Sequence, residues 1–268
     1  LGTKSYKNKK SKIANKNINS KMFLEVKKNS TYYLNFNKKK KIEELNIVLH
    51  DPKTSKLVIH NSNLKNLKIN VITKNIDYSF VDINQIRHDE LLLTGCLTII
   101  DSKLDNLEIN SNNANCEDAI NFIRSEGVIK NINVKNSKFD AIDADSSNIV
   151  FEKVKVENAL NDCIDFSFGN YYLKDVEVNN CGDKGLSVGE KSSVNILNFN
   201  SSNTKLPFVS KDSSLLALNH FKSDLAEDFT CGKAYNKKQE FGGAKIILNK
   251  NIYCKVNVDE FSKLNLLF

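Results

Sequence analysis

At 268 residues, with 40% hydrophobic and 26% charged side chains, the chain has the composition of a globular protein and is long enough to bury a sizeable core. Its 39 basic against 32 acidic residues give a formal charge of +7, but only Arg87 and Arg124 are arginine. That argues against a nucleic-acid partner, because bases and phosphates are read largely by arginine forks. No apolar run approaches the roughly 18 residues of a spanning helix, so no transmembrane segment is expected.

The chain opens on "LGTKSY", with neither a methionine nor a signal-peptide pattern, which fits a trimmed or mature form. The dense basic runs "KNKKSK" and Lys38 to Lys41 lack the interleaved aromatics of single-strand binders. Residues 1–55, with alternating stretches such as "MFLEV" and "YYLNF", are expected to form an N-terminal cap and irregular coils. "LVIHNSNLKNLKINV" at 57–71 reads as an early coil, and "RHDE" at 87–90 as a surface turn before "LLLTGCLTII".

From residue 116 one phrase returns four times: "CEDAINFIRSEG", "FDAIDADSSN", "NDCIDFSFGN" and "GDKGLSVGEKS". Asp118, Asp140, Asp162 and Asp183 lie 22, 22 and 21 residues apart, and Ile132, Val154 and Val176 follow with the same step. Strict alternation marks strands, and a fixed period of 20 to 25 residues marks a solenoid. The spaced leucines of a leucine-rich repeat are missing, whereas β-branched alternation fits a parallel β-helix with short strands stacked about 4.8 Å apart. "SSLLALNHFKSD" at 213–224 aligns with "SSVNILNFNSSN" at 192–203 by a shift of 21. Asparagine crowds the bends, where it tolerates left-handed backbone and forms ladders between stacked copies. Gly242 and Gly243 mark a late turn. The expectation is a single all-β domain over 1–268, a right-handed parallel β-helix with coils of about 22 residues: regular coils over 56–228, a C-terminal coil and cap over 229–268.

The stretch "NDCIDFSFGNYYLKDVEVNNCGDKGLSVGEKS" resembles the pectate-lyase-like superfamily of right-handed parallel β-helices, through its D-x-I-D and G-D-x-G-x-S turns, over about residues 90–225. The resemblance implies that architecture and an activity among polysaccharide lyases, uronate epimerases, glycoside hydrolases and glycan-binding surface proteins. The G-H-G and R-x-K pieces of polygalacturonases and the D-P-H-D of mannuronan epimerases are missing, so no catalytic residue transfers by motif.

Within each phrase Ile120 and Phe122, Ile142 and Ala144, Ile164 and Phe166, Leu186 and Val188 should point inward. Period-two geometry then sends Asn121, Asp143, Asp165 and Ser187 outward in one column, with Asp145, Ser167 and Gly189 in the next. Stacked carboxylates repel by roughly 1 kcal/mol in water and about 3.5 kcal/mol at an effective dielectric near 20, so a cation, hydrogen bonds or protons must relieve them. The catalytic candidates are Asp143, Asp145, Asp162 and Asp165, with Lys184 or Arg124 as basic partner. Asp118, Asp140, Asp183, Glu190 and Lys211 are candidates for substrate binding, although the bend aspartates equally suit Asx-turns. Asp143 and Asp165 could hold Ca²⁺.

Neighbouring coils would place carboxyls at the separation of a retaining glycosidase, and acids two coils apart at the inverting one. A lyase or epimerase would instead need a lysine or arginine to take the α-proton. The expected partner is an acidic or cell-surface polysaccharide, drawn by the lysine-rich surface. The alternative is a non-catalytic glycan- or protein-binding module beside other domains of a larger polypeptide. Six cysteines without a C-x-x-C pair exclude a zinc motif and read as buried thiols. Cys96 and Cys116, about one coil apart, are either an apolar stack or a disulfide, the latter implying an extracytoplasmic protein.

Overall fold

A computed structural model describes residues 16–18, 20–37, 42–51, 54–74, 88, 91–226 and 229–267. The two basic runs, and "RHDE" apart from His88, lie outside these residues. The fold is an all-β parallel solenoid of about 9 turns, with coils roughly 23 residues apart. Alternating apolar residues at this period close the chain into a three-sided spiral, because each side buries one face against the other two.

The strands stack into three ladders. The first, here sheet 1, runs through Ser30–Leu34, Ser55–His60, Gly95–Ile100, Asp118–Ile123, residues 140–145 and 164–167, Lys184–Gly189, Leu206–Lys211, Thr230–Tyr235 and Lys255–Val258. Sheet 2 continues each coil, as at 126–129, 148–151 and 170–173. Sheet 3 begins with Lys21–Val26, Glu44–Leu49 and Lys68–Thr73 and continues through 131–137 and 153–159. The pairing within these ladders is parallel; the antiparallel exception is Lys16–Ile18 against Lys21–Val26. At the opposite end the last strand, Lys263–Leu267, leaves Leu264, Leu266 and Leu267 exposed.

Ile120, Phe122, Ile142, Ala144, Ile164, Phe166, Leu186 and Val188 all lie inside, at 1% exposure or less. Aromatic rings fill the middle coils: Phe151 stacks on Phe166 at 5.8 Å and Phe166 on Tyr171 at 4.2 Å. The 213–224 segment pairs one residue away from the expected alignment. Ser193 lies beside Leu215, a step of 22, which puts Leu216 and Leu218 inside over Val194 and Ile196. A step of 21 would turn both leucines to solvent, since a one-residue slip exchanges the faces of a strand.

The bends carry ladders of their own. Asn180 Nδ2 donates to Asn158 Oδ1 at 2.9 Å, Asn158 to Asn136 at 3.0 Å, and Asn136 to Asn113 at 3.1 Å. All four asparagines have left-handed backbone, with φ of 57 to 63°. Between sheets 1 and 2 the hydroxyls of Ser102, Ser125 and Ser147 each accept the amide of the serine one coil earlier, at 3.0 to 3.3 Å. At the next rung Gly169 replaces serine because a Cβ there would meet Ser147 O at 2.1 Å. The Tyr171 hydroxyl accepts the Ser147 amide instead.

Every cysteine is in a disulfide: Cys96–Cys116, Cys163–Cys181 and Cys231–Cys254. The pairing corrects the reading of Cys163, Cys181, Cys231 and Cys254 as thiols. Separations of 20, 18 and 23 residues are close to one coil, so each bond ties the start of a sheet 1 strand to the corner before its successor. Neighbouring rungs bring the Cα atoms to 5.4–5.9 Å, within bonding range.

Candidate functional site

The four repeated phrases meet on the outer face of sheet 1. Asn121 pairs with Asp143, Asp143 with Asp165, and Asp165 with Ser187, in register across four coils. Asp145, Ser167 and Gly189 form the adjoining column, and Asp118, Asp140 and Asp162 stack at the bend before the strands. The strip is more enclosed than an outward column would be on a flat face. Asn121, Ser187 and Thr98 are fully buried, and the Asp165 side chain is 23% exposed.

Enclosure decides the protonation of the acids. Burial, then the charge of Asp162 and Asp118, pushes the Asp140 carboxyl up to about 8. Burial outweighs a hydrogen bond from Thr94 to lift Asp118 to about 7. Asp143 is raised well above the ordinary carboxylate range by burial and by its neighbours Asp118, Asp145 and Asp165. Burial also raises Asp145, against hydrogen bonds with Asn121 and Asp143. Each of these shifts favours the protonated form, which lessens the repulsion in the column.

Hydrogen bonds order the same groups. Asn121 Nδ2 donates to Asp143 Oδ2 at 2.5 Å and to Asp118 Oδ2 at 3.3 Å. Asp140 Oδ1 accepts Asn161 Nδ2 at 2.6 Å and the Asp162 amide at 2.8 Å, bonds to the next coil in place of the Asx-turn expected within its own bend.

Lysines relieve the rest. Lys184 binds Asp162 at 3.1 Å and also pairs with the more exposed Asp183. Burial lowers the Lys184 ammonium, but these two carboxylates overcome it and hold the group well above its usual value. Burial lifts Asp162 to about 6 despite the cation. Lys184 is thus placed as a counter-ion to Asp162 and Asp183. Lys211 reaches back across Gly189 to Asp165 at 3.8 Å. Glycine stands at 189 because a Cβ there would lie 2.7 Å from Lys211 Cε. Burial raises Asp165, with Lys211 pulling the other way. Glu190, at the following corner, accepts the Ser167 hydroxyl at 2.5 Å and pairs with Lys238. Burial pulls it up, but Lys238 and Ser167 hold it below its ordinary value.

Arg124 stands at the edge of the strip. At the corner after the strand, its Nε and Nη2 bind Asp101 at 2.7 and 3.0 Å. There it lines a shallow cavity of about 280 Å³ with Asp101, Lys103, Glu126 and Ser146. The arginine was a candidate base by sequence proximity; its amide donates to Asp145 O at 3.0 Å, while its guanidinium is engaged by Asp101.

The expected calcium donors fit poorly. Ca²⁺ takes six to eight oxygens, whereas Asp165 already faces the Lys211 ammonium. Among the described residues no group of three or more His, Cys, Asp or Glu side chains is placed to hold a metal ion.

Of the buried polar atoms in the strip, Thr98 Oγ1 and Asn121 Oδ1 have no hydrogen-bond partner, whereas Ser187 lies beside the Asp165 carboxyl and favours its charged form. Thr98, Asn121, Asp143, Asp165 and Ser187 follow one another in register. Sequence reasoning had assigned no role to Asn121, Ser187 or Lys238. Lys238 is 48 residues from Glu190 and carries no repeated phrase. Glycine at 189, in a column that otherwise reads Asp145 and Ser167, was the one signal that a side chain crosses there.

Among the described residues no helix is long and apolar enough to cross a membrane. Comparison of the chain with protein-family models, curated proteins and solved structures gives no match.

Proposed function

We propose that the protein is a carbohydrate-active β-solenoid that hydrolyses an acidic polysaccharide laid along sheet 1, with Asp143 as the proton donor and Asp165 as the ionised partner. One observation carries this reading: two aspartates stand in register on adjacent coils, and a lysine reaches only one of them. Adjacent strands are about 4.8 Å apart, close to the ~5–5.5 Å between the carboxyls of a retaining glycosidase. Burial raises both carboxyls, but only Asp165 has a cation opposing the rise, the kind of asymmetry an acid and a nucleophile require. Asp143 is raised by burial and like charges, while Lys211 favours the charged form of Asp165.

A lyase or epimerase fits less well, because Lys184 and Arg124, its candidate bases, are held by carboxylates. The acids do not forbid an anionic substrate. Asp118, Asp140 and Asp143 are held largely protonated in mildly acid solution, the ionised groups face lysines, and the chain carries a surplus of +7. Three disulfides support an oxidising, extracytoplasmic setting. With it comes the pectate-lyase-like relationship implied by the repeated turns.

The test is release of reducing ends from a panel of uronate-containing and neutral polysaccharides, with Asp143→Asn and Asp165→Asn as controls. Hydrolysis lost in both variants, with no ultraviolet-absorbing unsaturated product, is the expected result. An unsaturated product would turn the reading to a lyase. No cleavage of any polymer that the protein nevertheless binds would make sheet 1 a binding face alone.

A further inference from the structure

The corner between sheets 1 and 2 has left-handed backbone in coil after coil, at Asn61, Asp101, Arg124, Ser146, Phe168, Glu190 and Asp212, with φ from 35 to 57°. Six of the seven are polar. Phe168 is the exception, a bulky side chain in a conformation that non-glycine residues avoid, and 42% of it is exposed. It follows Ser167, and its amide donates to Glu190 O at 3.1 Å, so it borders the acid strip directly.

Facing it is Phe241, edge to face at 6.2 Å, with Lys191 Nζ 5.8 Å from the Phe241 ring centroid. Phe241 belongs to a loop that is fastened without Phe168. Asp212 Oδ1 accepts the amides of Lys237 and Lys238 at 2.7 Å each. Asn236 Nδ2 donates to Phe241 O at 2.6 Å, and the Gly242 amide to Ser213 Oγ at 2.7 Å. Phe168 is thus not needed to hold the loop, which leaves its strained, exposed ring without a purely structural reason.

We propose that Phe168 and Phe241, with Lys191 beside them, form a subsite for one sugar unit of an anionic polysaccharide. This rests on the reading of sheet 1 as a glycan site. A pyranose presents an apolar face of C–H groups that packs on an aromatic ring, and a uronate carboxylate on that ring meets the Lys191 ammonium. The subsite would hold the chain end beyond Ser167 while the neighbouring units lie over Asp143 and Asp165. Phe168 and Phe241 act in binding and register, not in bond cleavage.

The experiment titrates polygalacturonate, alginate and maltose oligomers into the whole protein by calorimetry, with Phe168→Asn, Phe168→Tyr and Phe241→Ala beside wild type. Asparagine tolerates the left-handed corner, so Phe168→Asn is expected to unfold at the same or a higher temperature and yet bind a uronate oligomer about tenfold more weakly. Phe168→Tyr should bind as wild type, and Phe241→Ala should weaken binding without changing which oligomer is preferred. Wild-type affinity retained by Phe168→Asn would overturn the subsite and leave the glycan reading standing. So would a fall of several degrees in its unfolding temperature with binding lost in proportion. Failure of wild type to bind any of the three oligomers would overturn both.

Discussion

Replacing Asp140 by asparagine should stabilise the protein at neutral pH and do little at acid pH. The carboxyl is raised from 3.8 to about 8 by burial and by Asp162 and Asp118. Between those values the unfolded chain releases the proton while the folded chain keeps it, so wild-type stability is greatest at low pH and is lost as pH rises toward 8. From pH 5 to pH 7 one such group costs about 2.7 kcal/mol, two pH units at roughly 1.36 kcal/mol each; for a carboxyl only partly buried about half of that is expected. Asparagine mimics the protonated acid, since its Oδ1 can still accept Asn161 Nδ2 and the Asp162 amide. The variant should therefore unfold some 3–6 °C above wild type at pH 7, measured relative to the difference at pH 5. Scanning calorimetry of both proteins at the two pH values reads this directly. Equal differences at pH 5 and pH 7, or a wild type that gains stability with rising pH, would show that the column is ionised in the folded state.

Three other outcomes follow from contacts already described. Gly189→Ala should cost less than about 1 kcal/mol, because the atom in its way is near the tip of a flexible lysine, yet it should move Lys211 off Asp165 and shift the pH profile of any hydrolysis. Lys184→Met leaves the buried Asp162 without its cation and should destabilise by about 3 kcal/mol at pH 8, less at pH 5, in denaturant titrations. Opening Cys163–Cys181 by a double serine substitution should remove about 3 kcal/mol, the scale for a closed loop of this length, seen as a lower unfolding temperature that reductant does not lower further through that bond.

The solenoid was legible because Asp118, Asp140 and Asp162 repeat at the rise of one coil, and the strands between them alternate strictly. Outward residues were placed correctly for the same reason: period two leaves no choice once Ile142 and Ile164 go inside. What escaped depends on where long side chains travel after they leave the backbone. Lys211 crosses a glycine one coil back, Arg124 pairs along the corner with Asp101, and Lys238 comes from a loop outside the repeat. The slip at 213–224 arose from matching serines at a bend, where composition repeats easily, instead of matching Leu216 and Leu218 to the interior. Of the disulfides, Cys96–Cys116 was legible as one of two alternatives from its one-coil spacing, whereas Cys163–Cys181 and Cys231–Cys254, at 18 and 23 residues, were read as thiols.

Those disulfides change how the chain tolerates being cut. Proteolysis between Cys163 and Cys181 would leave both new ends joined through sulfur, and the strands on either side, in register with the coils above and below, would keep the nicked turn seated. Damage to one turn then stays within that turn, so the molecule can lose continuity of its backbone at such a point and still keep Asp143 and Asp165 side by side.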